Sequence, residues 1–337
     1  MKRLLCMLSI VITIFFTSIH VRADETDIKI TGFVDVSYST DDNADTKDFN
    51  MDQIEVDIER EISGIASLRT DLNFTGTDPL TRDDIIEQGF VTLTLLRGGD
   101  TTLTIGKFNA PIGFELLDAP DMYQFSHALV FKNGLPTNLT GLQVSKGLGD
   151  MADISLYIVN GWDVMEDNND GKTFGGRLGI SPDDEIGLGL SYITGPEQDS
   201  NDDNNRSVLD IDASVSSIQN LLIGAEFNLG KEEGIGIGGG DANWLGYLVM
   251  MHYDLKDWVG FTFRYDYFND KDGQRTGLGK EVVEQAVTFA PTFTIADGMG
   301  ALIEYRKDFA DTNAFIDADG NPSDDNTVVA VEFTYSF

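Results

Sequence analysis

The chain has 337 residues, 57 Asp and Glu against 23 Lys and Arg, and a formal net charge of −34. That acidity excludes a nucleic-acid partner, whose binders need a basic footprint, while the length suits two soluble domains or one large barrel. The single cysteine, Cys6, falls in the opening segment, so the chain beyond it offers no disulfide, thiolate metal site or cysteine nucleophile.

The first element is a charged start (Met1, Lys2, Arg3), an apolar stretch from Leu4 to Phe16 and an exit ending Val21-Arg22-Ala23. This pattern predicts a cleaved secretory signal over residues 1–23 and a mature start near Asp24. A retained spanning helix would need about 20 apolar residues, which this segment lacks. Removing Lys2, Arg3 and Arg22 takes three positive charges from −34 and leaves −37.

Beyond Ala23 the recurring signal is alternation at period 2, the pattern of strands with one apolar face. It predicts strands at 28–38, 49–59, 64–75, 86–96, 101–107, 140–147, 151–160, 173–181, 185–194 and 207–216, then at 220–229, 242–254, 257–268, 282–293, 298–308 and 326–337. The last is the clearest, with Val329, Val331, Phe333, Tyr335 and Phe337 on one face and Ala330, Glu332, Thr334 and Ser336 on the other. Alternation over about 10 residues is how a strand crossing a bilayer reads.

The links between these strands alternate in kind. Tight turns fall at 61–63, 97–100, 147–150, 181–184, 216–219, 254–257 and 294–297. Longer polar links fall between them, at 40–48, 76–85, 108–139, 161–172, 195–206, 230–241, 269–281 and 309–325. Short turns at one end and long loops at the other belong to an outer-membrane barrel whose turns face the periplasm. The expected fold is therefore all-β: a transmembrane, antiparallel, up-and-down barrel of about 16 strands over residues 24–337, with a long third loop at 108–139. Aromatics near strand ends, such as Tyr38, Tyr192, Trp258 and Phe309, fit interfacial girdles.

Charge placement on the strands points to a wet interior. An Arg or Lys facing lipid at mid-bilayer costs roughly 2–4 kcal/mol, so mid-strand charges are expected to turn inward. Arg69 and Asp71 oppose Leu68 and Leu72, Arg264 and Asp266 oppose Phe263 and Tyr265, and Glu304 and Arg306 oppose Ile303 and Tyr305. With Glu55, Asp57, Glu59, Arg177, Asp210, Asp212, Glu226, Glu284 and Glu332, the inward set has an acidic majority. Such a lumen passes ions and small hydrophilic solutes and favours cations. The third loop carries Glu115, Asp118, Asp121 and His127 on a frame of Phe114, Leu116, Leu117, Tyr123, Phe125, Leu129 and Phe131. A frame so apolar calls for cover, either against the barrel wall, with the acids projecting toward Arg69, Arg264 or Arg306 at the constriction, or against neighbouring loops outside the membrane.

Three features carry a resemblance. The chain ends in an alternating strand closed by Phe337. The segment Ile105-Gly106-Lys107-Phe108-Asn109-Ala110-Pro111-Ile112-Gly113-Phe114-Glu115, continued by Ser126-His127-Ala128-Leu129, is the second, and the longest link following the fifth strand is the third. The first resembles the terminal signal read by the barrel assembly machinery. The second is similar to the G-K-F-x-x-P-x-G-x-E stretch of the porins grouped as OmpL-like, with a weaker likeness to phosphate-selective porins. The third matches the position of the loop that folds into the pore of sixteen-stranded porins. The P-E-F-G-G tip of the general porins is absent. The resemblance implies an outer-membrane diffusion porin without cofactors, set among lipid and lipopolysaccharide, and a homotrimer as in many general porins.

Other readings of the residues are weaker. Ser126 beside His127 lacks the G-x-S-x-G elbow, and adjacent residues seldom present a serine to its base. The acids Asp317, Asp319 and Asp325 have alternate spacing, yet Gly320 and the missing bidentate Glu break the EF-hand pattern. The alternative function is a barrel serving as an anchor or adhesin through its acidic surface loops.

Overall fold

The computed structural model describes residues 27–75, 81–95 and 99–337. The expected signal segment, residues 76–80 of the second loop, residue 96 at the end of the expected fourth strand and residues 97–98 of the second tight turn lie outside the described residues. Sixteen strands carry the fold: β1 (Lys29–Asp41), β2 (Thr46–Ser63), β3 (Ala66–Thr75), β4 (Ile86–Thr94), β5 (Thr101–Asn109), β6 (Asn138–Gly147), β7 (Ala152–Trp162) and β8 (Thr173–Asp183), followed by β9 (Ile186–Gln198), β10 (Asn201–Ile218), β11 (Leu221–Glu232), β12 (Ala242–Lys256), β13 (Val259–Asp270), β14 (Val282–Ala296), β15 (Met299–Ala310) and β16 (Asp325–Ser336). A two-residue pairing of Phe315–Ile316 with Pro322–Ser323 ornaments the last loop.

Each strand pairs antiparallel with its sequence neighbours, and β1 pairs with β16 to close the barrel. At the seam Phe33 faces Ser336 and Asp41 faces Val328. Phe337 completes it, donating its N–H to Gly32 O at 2.9 Å while Gly32 N donates to Phe337 O at 3.2 Å. Closure leaves no edge strand, which hydrocarbon demands because lipid cannot satisfy a bare N–H or C=O.

Alternation sets the two faces as the sequence predicts. On β14 and β15, Phe289, Ile303 and Tyr305 point outward and stay exposed, whereas Thr288, Glu304 and Arg306 between them are buried inside. The outward belt is apolar surface that lipid covers.

All sixteen expected strands form, but several run further than periodicity shows. The expected loop at 195–206 contracts to residues 199–200 between β9 and β10, and the link at 40–48 contracts to 42–45 between β1 and β2. The reason lies in segments such as Asn201-Asp202-Asp203-Asn204-Asn205. A hairpin that rises past the hydrocarbon needs ladder bonds but no apolar face, so its residues read as loop.

The third loop, L3 (residues 110–137), does not rise into solvent. It carries a 3-10 turn at Ala119–Asp121, while the second loop holds one helical turn, α1 (Arg82–Ile85), and L3 itself a second, α2 (Leu129–Gly134). The α2 turn packs inside the barrel against β11, β12, β13 and β14. Ile112, Leu129 and Leu135 join Trp162, Ile193, Val208, Trp244 and Phe268 in one core, and Ala128 and Val130 join Leu248 and Met250 in another. Those wall residues are apolar although they face inward, because L3 covers them. Gly224 and Gly246 make the fit: a Cβ would lie 2.0 Å from the Phe114 ring at the first and 2.9 Å from Val130 at the second.

Orientation follows from which end bears the tight turns. Cys6 lies in the expected signal segment, so a chain from which that segment is cleaved would present an introduced cysteine alone. An impermeant maleimide on intact cells should label Asp319→Cys and not Lys256→Cys. Labelling of position 256 with 319 silent would invert the topology.

Candidate functional site

The site is built where L3 meets the wall. Arg264, projecting inward from β13, is completely buried, and its Nη1 donates to Glu115 Oε1 at 2.7 Å. Its Nε stands 2.9 Å from Asp266 Oδ1, and Nη1 also reaches the carbonyl of Ser126. Glu115 in turn spans the loop, accepting Gln124 Nε2 at 2.9 Å and the Ala128 N–H at 2.7 Å. One carboxylate and one guanidinium thus hold both limbs of L3 to β13.

Arg306 on β15 makes the second attachment. Its Nη1 donates to Ser126 Oγ at 3.0 Å and His127 O at 2.8 Å, while Nη2 pairs with Asp308 Oδ1 at 2.8 Å. Two wall carboxylates take L3 backbone donors: Glu304 Oε2 accepts Ser126 N at 3.1 Å, and Glu226 Oε2 accepts Phe114 N at 2.8 Å. At the loop end, Arg275 Nε donates to Asn133 O at 2.6 Å while its guanidinium lies over Trp162 and Trp244, 5.4 and 5.2 Å from the ring centroids. Charged hydrogen bonds of this kind are roughly twice as strong as neutral ones.

A second group occupies β2, β3 and β4. Arg69 pairs with Asp71 at 2.9 Å and with Glu59 at 3.1 Å, and Gln88 Nε2 also donates to Asp71. Beside them Asp118, at the head of the 3-10 turn of L3, is partly buried. Burial and the nearby Glu87 and Asp121 carboxylates push it up to about 7.

Two cavities flank L3. The one toward the long loops, about 980 Å³, is lined by Ser126, His127, Phe131, Lys132, Arg275 and Arg306 among others. The one toward the tight turns, about 250 Å³, is lined by Tyr123, His252, Asp254 and Glu332 among others.

Sequence reasoning thus located the contact but not its form. Arg264, Asp266 and Glu304 face inward, yet L3 seals them, so their charges act on the loop rather than on water. Glu115 is spent in the same bond network and does not project into a constriction. Arg306 borders the larger cavity, Asp118 is half-buried, Asp121 is exposed, and Asp71 is sealed beside Arg69. The roles of Ser126 and Arg275 went unread. Ser126 gives its carbonyl and hydroxyl to the two arginines, while the His127 ring bonds Leu116 O at 2.8 Å and stacks on Phe131, so the adjacent pair turn to different partners. Arg275 looks in sequence like any solvated loop charge; Trp162 and Trp244 were the signal that could have found it.

A family model described as "Putative beta-barrel porin-2, OmpL-like" matches residues 27–337. Among solved structures, the outer-membrane OmpT of Vibrio cholerae superposes with a TM-score of 0.67 at 12% identity, covering 94% of this chain and 99% of that one. The anion-selective porin from Comamonas acidovorans gives 0.66 at 11% identity, covering 93% and 100%. Salmonella typhi OmpF in complex with daunomycin gives 0.66 at 12% identity, covering 93% and 98%. Against curated proteins, sequence comparison finds no match.

Removing one member of a buried ion pair typically costs about 3–5 kcal/mol because the other is left unpaired. In Arg264→Met that cost should fall on L3 while the ladder stays closed. Protease cleavage within 110–137 is expected to speed up by roughly tenfold or more, with the heat-dependent gel shift of a folded barrel retained. Unchanged resistance would show that the pair does not hold the loop.

Proposed function

Because the chain belongs to the family of OmpL-like β-barrel porins, we propose that it is an outer-membrane channel through which ions and small hydrophilic solutes diffuse passively, with a preference for cations. The observation that carries the reading is L3 inside the barrel, fastened by Arg264 and Arg306 and flanked by a cavity on each side. A barrel of sixteen strands is too wide for its own wall residues to fill, and an inward loop narrows such a lumen without closing it.

The cation preference rests on the charge balance of the interior. Among the described residues fourteen buried side chains are carboxylates, whereas three are Lys or Arg: Lys107, Arg264 and Arg306. Both arginines are already matched, Arg264 by Glu115 and Asp266 and Arg306 by Asp308. Asp71, Asp212 and Glu232 are matched too, by Arg69, Arg177 and Arg206; the acids left over outnumber the cations, and the field of an acidic interior concentrates cations and repels anions. The resemblance to an anion-selective porin extends to the fold and says nothing of selectivity. Within the same reading, Arg69, Asp118, Asp121 and Arg306 meet the permeating ions, and Phe337 serves as the terminal mark for the barrel assembly machinery. The surrounding partners are lipid and lipopolysaccharide, and the assembly is a homotrimer; one similar structure, an in-vitro folded OmpT of Vibrio cholerae, is described as a trimer form.

Reversal potentials across a potassium chloride gradient test the preference. A cation-selective sign is expected, fading as salt shortens the Debye length from about 30 Å at 0.01 M to about 3 Å at 1 M. An anion-selective sign at low salt would overturn it.

A further inference from the structure

Three carboxylates from three elements converge across the β1–β16 seam from the arginine anchor: Glu55 on β2, Glu87 on β4 and Asp118 on L3. One oxygen from each lies within 4.8 Å of the others, and Glu55 forms a second such group with Asp57 and Asp71. Glu55 is thus the shared corner. It is 1% exposed, and neither of its oxygens accepts a hydrogen bond from the described residues; Asp118 Oδ1 accepts none either. Asn73 stands opposite Glu55 in the β2–β3 register and gives its Nδ2 to Glu87 Oε2 at 2.7 Å, while its own buried Oδ1 accepts nothing.

Buried polar atoms nearly always have partners, and a buried charge without one is more costly still. Arg69 does not relieve this cluster, since its guanidinium is engaged by Asp71 and Glu59. Glu87 is satisfied by Asn73 and by Asn109 Nδ2 at 3.1 Å, whereas both Glu55 oxygens and Asp118 Oδ1 are not, and converging carboxylates of this kind make the donor set of a hard cation. A spread of no more than 4.8 Å admits calcium, which oxygens bind at about 2.3–2.6 Å, and equally the smaller magnesium at about 2.0–2.1 Å.

We propose that Glu55, Glu87 and Asp118 form a divalent-cation site, probed with calcium because it accepts carboxylate ligands in flexible geometry. The half-buried Asp118 opens the site to lumen water, which supplies the remaining ligands and the route of entry. The bound ion ties L3 to β2 and β4, a second attachment complementing the arginines of β13 and β15. Nothing in this site depends on which solutes cross the barrel, so it stands or falls separately from the channel reading.

Calorimetric titration of calcium chloride into the detergent-solubilised, EDTA-treated barrel tests the site. The wild type should show one saturable site per chain. Affinity should fall by about tenfold or more in Glu55→Gln and in Asp118→Asn, each of which removes a ligand charge, and stay unchanged in Asp317→Asn, which alters only an exposed loop. Asp118→Asn leaves every strand residue in place, and the heat-dependent gel shift verifies folding of each variant. A wild type without a saturable site, or an affinity that survives either ligand substitution, overturns the proposal.

Discussion

A strand in hydrocarbon finds no water for its N–H and C=O groups, and every other feature of this molecule follows from that constraint. The ladder must close on itself, so β1 meets β16, and Phe337 adds the last reciprocal bonds with Gly32. Closure with period-2 side chains then divides the chain into an outward apolar set and an inward set free to carry charge. An interior of this width would be a wide hole if nothing filled it. The polar wall gives L3 something to bind, and L3 gives the interior its shape.

The attachment of L3 combines two kinds of force that need each other. Apolar contacts of Leu129, Val130 and Leu135 with Leu248, Met250 and Phe268 supply burial without direction. The carboxylates and guanidiniums supply direction, but only inside the dry contact that the apolar residues create. A buried ion pair is seldom a net source of stability, since desolvation offsets the attraction. Its effect here is to fix one geometry: with Arg264, Arg306, Glu226 and Glu304 all engaged, another placement of L3 would strand several buried charges at once. In the channel reading proposed above, the excess of inward acids sets the sign of the field that a permeating ion meets.

Period-2 alternation made the barrel legible in the sequence because one face of each strand is obliged to be apolar. It failed where the obligation lapses. Asn201 to Asn205 extend β10 beyond the bilayer, where both faces are wet, and Leu248 and Met250 are apolar inside because a loop covers them. Inward direction was equally legible for Arg264 and Glu304, since lipid excludes charge. What they bind was not, because that depends on the path of L3 through space, with Ser126 arriving between β13 and β15 from a distant part of the chain. Short polar side chains that use their backbone, as Ser126 does, leave no mark in a sequence pattern. The convergence of Glu55, Glu87 and Asp118 was hidden for the same reason: two strands and a loop meet there, and no spacing along the chain announces it.

The central claim is that a loop folded into this barrel narrows the lumen and leaves it open. Single-molecule conductance of the purified barrel in a planar bilayer tests it most directly. The account predicts discrete, long-lived open steps that scale with salt concentration. A correctly folded barrel that inserts and shows no steps would mean that L3 is a plug, and would contradict the account.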